Sequence, residues 1–411
     1  MKLIYLYYWL IVMLGAISWK PLIPNYGGTI LTLVKGALLI TIIFIIISRG
    51  INKNFLTYFS LCGIFVLFFY LLLQISRLDS VEFANLGDIF KSFSSYLLLF
   101  LMLMIRLRNE EIKRILDLIQ KLPIFSVVFG LFFSLFTDWS VIKFEFTGVN
   151  RLQGSNPPAH LAEICFVAII TSVGLLLKKD IQKTLYSSST NKLYCYLLIN
   201  TLILILTFTR ITLLGAGLII LYMLIKKLYI TIINNRYSIP IVFITIISIF
   251  PAIFIFIYMV KSILRRSTNE GGGINTSGRY WAWKYFIDRA NEYPVFGRGM
   301  GASQSLYDVN PYKEFVAPHN EYIRSYLEVG ILGSIIMIIF ILVFIGWLIY
   351  SNKSNKLLSN KFIFISIISI GIVSYYDNLF VTIHFSLPFI LLILCLVNVF
   401  TFRKSQEGDF T

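Results

Sequence analysis

The chain has 411 residues, of which 57% are hydrophobic and 14% charged, and its mean hydropathy is +0.80. Soluble domains carry about 25% charged residues, so this composition excludes an ordinary soluble fold and indicates an integral membrane protein. The formal net charge of +16 does not indicate nucleic-acid binding, because most Lys and Arg residues lie in short loops between apolar segments, where membrane topology places them.

Apolar segments long enough to cross about 30 Å of hydrocarbon, roughly 17–25 residues each, recur along the whole chain. Because only helices satisfy every backbone group of such segments inside a bilayer, the sequence predicts an all-α polytopic membrane protein with about twelve transmembrane helices. The first is interpreted as a retained helix and not as a removable signal. The predicted spans are 3–19, 29–48, 55–75, 92–107, 119–137, 158–177, 193–208, 211–225, 239–260, 323–350, 361–376 and 382–400.

The predicted loops differ in their content of basic residues. With the N-terminus inside, the cytoplasmic segments carry twenty Lys and Arg residues, whereas the opposite short loops carry six, namely Lys20, Arg77, Lys91, Lys143, Arg151 and Arg210. Because cytoplasmic loops are enriched in Lys and Arg, both termini are predicted to be cytoplasmic. In a bacterial inner membrane, the long polar loop is then periplasmic.

The spans divide the chain into three parts. Residues 1–260 hold transmembrane helices 1–9, residues 261–322 form one long periplasmic loop with short helices, and residues 323–411 hold helices 10–12 and a cytoplasmic tail. Almost everything outside the long loop is apolar helix. We therefore expect the chemistry of the protein in this loop and at the helix ends beside it.

The loop segment RYWAWKYFIDRA predicts a helix that begins at Arg279, with Ser277 as its N-cap. At 100° per residue, Arg279 lies on the apolar face of this helix, with Ala282, Trp283, Phe286 and Ala290. An arginine beside the unpaired N–H groups of a helix start is suited to bind an anion. The alternative is a snorkelling side chain that covers Trp283.

A second candidate is His319, which follows Pro318 and is predicted to head the helix HNEYIRSYLEVGILG. On that helix His319, Tyr322, Tyr326, Gly330 and Gly333 would form one stripe. The glycines would allow a neighbouring helix to approach closely. A neutral histidine at the membrane boundary is a suitable general base near neutral pH, although a lone histidine is more often structural.

Several other polar residues lie at predicted outer helix ends. Arg210, in the turn of a tight hairpin, is expected to line a polar cavity or bind a phosphate, or else to anchor the helix at the interface. Arg151 is on the same side. His160 and Glu163 are interpreted as polar packing, because no third metal ligand follows them. Asp377 could orient an arginine or the acceptor, although helix capping is the simpler role.

Together these motifs resemble the family of O-antigen polymerases and O-antigen ligases. The ligase-type pattern of His, then Asn, nine residues, Gly, two residues and Gly matches His319, Asn320, Gly330 and Gly333. Thr209-Arg210 matches an arginine that family members carry near a span end. Arg279 precedes a tryptophan and a P-x-x-G-x-G turn at Pro294, Gly297 and Gly299, and Arg151, Gly154 and Pro158 match an upstream pattern more loosely.

The resemblance implies a metal-independent glycosyl transfer at the periplasmic face, with no cofactor, from an undecaprenyl-diphosphate-linked oligosaccharide held in membrane lipid. His319 would be the base, and Arg210 and Arg279 would bind the leaving diphosphate as catalytic residues. Arg151, Asn320, Tyr322 and Asp377 would bind substrate. A chain-length regulator protein is a further partner that the resemblance implies.

The acceptor decides between two activities within this family. A polymerase joins lipid-linked repeat units in lipopolysaccharide O-antigen synthesis, whereas a ligase transfers the finished glycan to lipid A core, and the loop sequence favours the polymerase. A transporter of the lipid-linked glycan is a third reading. Transporters commonly carry internal repeats and polar groups near the bilayer midplane, whereas here Lys35 is the one clear intramembrane charge and the candidate residues map to one outer face.

Overall fold

The protein is described by a computed structural model over residues 2–51, 54–76, 84, 86–144, 150–177, 190–233, 279–306, 317–355 and 358–408. Within this part the chain is mainly helical. The helices are α1 (Lys2–Gly15), α2 (Trp19–Leu22), α3 (Gly27–Arg49), α4 (Phe55–Ile75), α5 (Leu86–Leu103), α6 (Asn109–Ser134), α7 (Pro158–Leu176), α8 (Thr190–Leu206), α9 (Arg210–Ile233), α10 (Arg279–Asn291), α11 (Ala302–Ser305), α12 (Glu321–Asn355), α13 (Asn360–Tyr376) and α14 (Ile383–Gly408).

Seven of the described helices, α3, α4, α5, α6, α7, α9 and α12, are long and apolar enough to cross a membrane. Shorter apolar helices are formed by Leu3–Gly15, Thr190–Leu206, Asn360–Tyr376 and Ile383–Val399. The structure thus confirms an all-α polytopic membrane protein. The predicted span 239–260 and the opening of the long loop, including Ser277, lie outside the described residues.

Helix α6 begins ten positions earlier than its predicted span, at Asn109 instead of residue 119. Its first turns are too polar for hydrocarbon, but they are well capped. Glu111 accepts a hydrogen bond from the Arg108 N–H at 2.9 Å, and the Arg49 guanidinium donates to both oxygens of the Glu111 carboxylate at 2.7 and 3.0 Å. Hydropathy alone does not detect this polar, capped start.

A two-stranded antiparallel hairpin lies between α6 and α7 and was not predicted. Strand β1 (Ile142–Phe144) pairs with β2 (Asn150–Leu152), with Lys143 opposite Arg151. The chain that follows β2 packs closely on α6, because a Cβ on Gly130 would lie 2.2 Å from the Gly154 carbonyl carbon. Glycine is therefore required at Gly130 for the hairpin to dock.

Helix α7 lies at the centre of the bundle, because every side chain from Leu161 to Leu176 is buried. It packs against α6, α8, α9 and α14. α7 and α14 begin side by side, where the His160 and His384 rings stack at 4.5 Å. We call this end, at which α7, α9, α12 and α14 begin and α13 ends, the site end of the bundle.

Helix α12 differs from its prediction in two places. The expectation of one continuous helix from His319 to Gly333 is wrong, because α12 begins at Glu321 and is broken at Gly330, whose φ of 66° and ψ of −169° are not helical. The predicted stripe from His319 to the glycines therefore does not exist. The partner that approaches Gly330 is also a loop and not a helix, because a Cβ on Gly330 would lie 2.4 Å from the Val295 carbonyl oxygen.

The loop 294–299 satisfies the backbone groups that the break in α12 leaves unpaired. The Ile331 and Leu332 N–H groups donate to the Pro294 and Val295 carbonyls at 2.8 and 3.1 Å. The Leu327 and Glu328 carbonyls accept from the loop N–H groups of Arg298 and Gly299 at 2.8 and 2.9 Å. A broken helix is tolerated at membrane depth when protein groups replace its lost hydrogen bonds, and this loop provides four.

Candidate functional site

The site is built around the junction between Pro318 and the start of α12. Asn320 is the N-cap, and its side-chain oxygen accepts from the Tyr322 and Ile323 N–H groups at 3.0 and 3.1 Å, which satisfies two of the unpaired donors of the helix start. The Asn320 N–H in turn donates to the Asn378 side chain at 3.1 Å. The start of α12 is thereby fixed to the end of α13.

This connection places His319 beside Asp377. The His319 Nδ1 is 3.3 Å from the Asp377 Oδ1, which also accepts from the Asn378 N–H at 2.9 Å. His319 has a φ of 46°, a left-handed conformation that is uncommon for a residue other than glycine. A carboxylate at Nδ1 favours the tautomer with hydrogen on Nδ1, so that Nε2 is the nitrogen that accepts a proton.

Asp377 is ionised in this arrangement. Burial raises the pKa of its carboxyl, but the hydrogen bond and charge of His319, the Asn378 N–H and the Arg279 guanidinium together lower it below its ordinary value. The side chain of His319 is 38% exposed, compared with 18% for Asp377. The imidazole is therefore the more exposed partner of the pair, and the carboxylate is the more buried one.

Arg279 also lies near Asp377. It begins α10, and its Nη1 donates to the Tyr376 carbonyl at 2.8 Å. Burial lowers the pKa of the guanidinium, and the nearby Asp377 carboxylate opposes this shift; an arginine nevertheless stays protonated. The predicted apolar face of α10 is confirmed, because Ala282, Phe286 and Ala290 are all buried.

Trp283 connects α10 to the histidine segment. Its indole N–H donates to the Pro318 carbonyl at 2.6 Å, directly before His319. Its ring also contacts Tyr375 and Tyr376. The Arg279 and Trp283 side chains thus hold separate carbonyl groups next to the His319–Asp377 pair, and anion binding by Arg279 stays a prediction.

Arg210 is the first residue of α9 and is half-buried. α9 packs antiparallel to α13, because a Cβ on Gly215 would meet Val373 and the Tyr222 hydroxyl lies 3.1 Å from the Ser359 hydroxyl. The start of α9 therefore lies at the end of α13 that carries Asp377. The structure places Arg210 at the site end of the bundle.

Arg151 supports the turn before Arg210. Its Nε donates to the Thr207 carbonyl at 2.7 Å, and its Nη2 donates to the Thr209 hydroxyl at 2.9 Å. The same turn contains Phe208 with a φ of 50°. Arg151 is thus placed to hold the turn, and its contact with substrate stays a prediction.

The remaining predicted residues differ in exposure. Asn320 is buried, and its side-chain oxygen caps α12, whereas Tyr322 is 52% exposed and lies beside Tyr375. Sequence reasoning missed Trp283, Tyr375, Tyr376 and Asn378 as parts of the site. Asn378 directly follows Asp377, and the aromatic pair directly precedes it, so the run Tyr375–Asn378 is the sequence signal that was available.

A second polar cluster lies at the site end, between the start of α7 and the start of α14. The Ser18 hydroxyl donates to Asn156 at 2.7 Å and lies 3.4 and 3.2 Å from nitrogens of His160 and His384. This supports the interpretation of His160 as polar packing. Among the described residues, no three His, Cys, Asp or Glu side chains are arranged to hold a metal ion.

Lys35 is not alone as a charge within the apolar helices. Its Nζ donates to the Ser95 hydroxyl at 2.8 Å, but Glu163, Arg324 and Glu328 are also buried within α7 and α12. Arg324 is paired with Glu328 at 2.5 Å and with Glu321. These additional charges lie within the first eight residues of their helices, on the side of the site end.

Comparison with known families adds a finding from outside the structure. Residues 195–338 match the family model described as O-antigen ligase, which confirms the resemblance to the O-antigen polymerase and ligase family without distinguishing the two activities. The matched segment contains Arg210, Arg279 and His319, whereas Arg151 and Asp377 lie outside it. No curated protein matches the sequence.

Proposed function

We propose that this chain, whose residues 195–338 match the family model described as O-antigen ligase, is a membrane glycosyltransferase that uses a glycan linked to a polyprenyl diphosphate. The observation that carries the proposal is the His319–Asp377 pair at 3.3 Å with Arg279 held on the adjoining Tyr376 carbonyl. A base and a cation beside one another suit a reaction in which a hydroxyl loses a proton while an anion departs.

His319 is the general base of the proposed reaction. Its Nε2 accepts the proton of the acceptor hydroxyl while the hydroxyl oxygen attacks the anomeric carbon of the donor sugar. The bond from that carbon to the diphosphate oxygen breaks with its electron pair, and the configuration at the carbon inverts. The Asp377 carboxylate stabilises the imidazolium that forms, because it is ionised and lies at Nδ1.

The arginines bind the leaving group in this proposal. The diphosphate gains negative charge as the bond breaks, and fixed cations that meet the developing charge lower the barrier. Arg279 lies close to the base, and Arg210 adds a second guanidinium at a helix start, where N–H groups also favour anions. Arg151 acts through Arg210 by holding the turn that carries it.

The proposed scheme needs no metal ion, since two guanidinium groups neutralise the diphosphate. We expect glycan transfer by the purified protein to continue at an unchanged rate in excess EDTA. The measurement is product formation from a lipid-linked oligosaccharide, with and without the chelator. A rate that falls in EDTA and is restored by added Mg²⁺ or Mn²⁺ would contradict the metal-free scheme.

O-antigen polymerase is our preferred activity, with a site that faces the periplasm from a bacterial inner membrane, and O-antigen ligase is the alternative. Deletion of the gene distinguishes them on a lipopolysaccharide gel. A polymerase deletion leaves core with one repeat unit, whereas a ligase deletion leaves bare core while lipid-linked polymer accumulates. A transporter of the lipid-linked glycan, the second alternative, would leave bare core without periplasmic polymer.

The His319→Ala variant tests the base directly. Expressed in the deletion strain, it should reproduce the deletion phenotype, because general-base catalysis contributes about 10²–10⁴-fold to a rate. Immunoblots of the membrane fraction establish that the variant is present at the wild-type level. Long-chain product of normal length and amount from this variant would remove the base from the proposal.

A further inference from the structure

Four aromatic side chains from three helices meet beside the His319–Asp377 pair. Trp283 comes from α10, Tyr322 from α12, and Tyr375 and Tyr376 from the end of α13. The ring centroid of Tyr375 lies 4.9 Å from that of Tyr376, 5.7 Å from that of Trp283 and 6.3 Å from that of Tyr322. Tyr375 is therefore the centre of this group, which we call the aromatic cluster.

The rings of the aromatic cluster differ in exposure. Tyr322 and Tyr375 are 52% and 46% exposed, whereas Trp283 and Tyr376 are half-buried behind them. The Trp283 ring is nearly perpendicular to that of Tyr375, at 77°, an edge-to-face arrangement that stabilises aromatic pairs. Trp283 and Tyr376 thus pack against Tyr375, which in turn lies beside Tyr322.

The aromatic cluster is continuous with the proposed catalytic residues. Trp283 donates to the carbonyl of Pro318, the neighbour of His319, and Tyr376 directly precedes Asp377. Tyr322 lies in the first turn of the helix that His319 precedes. The exposed rings therefore lie on the same two helix ends that carry His319 and Asp377.

We propose that Tyr322 and Tyr375 form a binding site for the acceptor sugar, the pyranose ring whose hydroxyl His319 deprotonates. One face of a pyranose presents C–H groups with partial positive charge, which suits the negative face of an aromatic ring, and the tyrosine hydroxyls can bond to sugar hydroxyls. The same negative ring faces disfavour a diphosphate, which Arg279 and Arg210 attract instead.

This inference rests on the proposed function, because the proposed reaction is what identifies the bound sugar as the acceptor. The competing role for exposed tyrosines in a membrane protein is an aromatic belt at the lipid headgroups. Sugar binding and membrane anchoring predict different results for variants that keep or lose the ring. A matched control is Tyr26, 67% exposed at the start of α3.

The experiment measures binding of a sugar that lacks both lipid and diphosphate. The probe is the repeat-unit oligosaccharide, released by mild acid from the lipid carrier of the same bacterium and reduced at its former anomeric carbon. Binding to the detergent-solubilised full chain is followed by saturation-transfer NMR titration. The proteins are the wild type and the variants Tyr375→Leu, Tyr375→Phe, Tyr322→Leu and Tyr26→Leu.

Tyr375→Leu and Tyr322→Leu are expected to weaken binding by about tenfold each. Tyr375→Phe should stay within about threefold of the wild type, because the ring remains. Tyr26→Leu should bind as the wild type does. The thermal unfolding temperature, measured for every variant, separates loss of the binding surface from loss of the fold, and Tyr375→Phe tests the ring without removing its packing.

The inference is overturned if Tyr375→Leu and Tyr322→Leu both bind the oligosaccharide as tightly as the wild type does. It is also overturned if Tyr26→Leu weakens binding as much as Tyr375→Leu, because that result indicates a general belt effect. The sugar site and the proposed reaction fail separately. Tyr375-dependent binding together with normal product from His319→Ala would leave the sugar site standing and remove the base.

Discussion

At the scale of single residues, the unusual feature of the site is the backbone of His319. A φ of 46° costs free energy for a residue with a side chain, and such strain is kept where surrounding contacts determine it. Here the Trp283 N–H holds the Pro318 carbonyl, and Asn320 is fixed by Asn378. In this conformation the His319 Nδ1 lies 3.3 Å from the Asp377 Oδ1.

The role of the Arg279 guanidinium is tested by a substitution that keeps its charge. Replacement by Lys keeps the positive charge but removes the planar fork that holds the Tyr376 carbonyl and can bind two phosphate oxygens at once. We expect Arg279→Lys to lower kcat by at least about tenfold, which corresponds to about 1.4 kcal/mol of transition-state stabilisation. The measurement is glycan transfer by purified protein at saturating donor.

Arg289→Lys is the matched control, because Arg289 is on the same helix but its side chain is 42% exposed and paired with Glu292 at 3.0 Å. This variant should retain wild-type kcat. Arg210→Lys is expected to lose activity as Arg279→Lys does. If the Lys variants at both positions turn over at the wild-type rate, a diphosphate clamp is the wrong role for these arginines.

At the scale of elements, the break in α12 determines where His319 lies, because the loop 294–299 holds the first turns of that helix by four backbone hydrogen bonds. Gly330→Ala should disrupt this arrangement. The backbone of Gly330 is in a region that is essentially restricted to glycine, at about 1–3 kcal/mol for another residue, and the new Cβ would meet the backbone of Val295. We expect a lower unfolding temperature and loss of glycan transfer.

Gly346→Ala provides the control for this prediction. Gly346 lies on the same helix with no atom within 4 Å of the added Cβ, so alanine should be neutral or stabilising by up to about 1 kcal/mol. Thermal unfolding of both variants in detergent gives the comparison. Equal unfolding temperatures for Gly330→Ala and Gly346→Ala would show that loop docking at the break contributes little to stability.

Elements with a regular pattern could be predicted from the sequence, and those set by distant contacts could not. α10 and its buried face follow from periodicity, because Ala282, Phe286 and Ala290 recur at helical spacing. The break in α12 does not, because the sequence around Gly330 is compatible with a helix and the loop 294–299 competes for its backbone. The hairpin of β1 and β2 was missed because each strand has three residues.

The residues of the candidate site also fall into those that local motifs predict and those that only tertiary contacts bring together. His319, Arg210 and Arg279 were identified from local motifs, whereas the pairing of His319 with Asp377 joins positions 58 residues apart and depends on how α12 and α13 meet. The aromatic cluster is also a tertiary feature, since its members come from three helices. Sequence motifs therefore suggested the charged groups and Tyr322, but not the aromatic cluster of which Tyr322 is a part.

At the scale of the whole molecule, the helix directions bring all seven predicted site residues to one end of the bundle. The loops at that end are predicted to carry few Lys and Arg, and those at the opposite end many. Because positive loops stay in the cytoplasm, the charge distribution and the position of the site together predict a periplasmic active site. A lipid-linked glycan exposed on the outer leaflet would reach such a site directly.

The orientation is tested by labelling cysteines in intact cells. Ser140 is exposed at the site end, beyond α6, and Glu110 is exposed at the other end of the same helix. The two variants are Ser140→Cys and Glu110→Cys. Each new cysteine is introduced into a variant whose four native cysteines are replaced by Ala. That variant must still make long-chain product. A membrane-impermeant maleimide admitted through the outer membrane should label position 140 in intact cells and position 110 only after the inner membrane is opened. The reverse pattern would place His319 and the arginines in the cytoplasm, where a polymerase or ligase acting on periplasmic glycan could not use them.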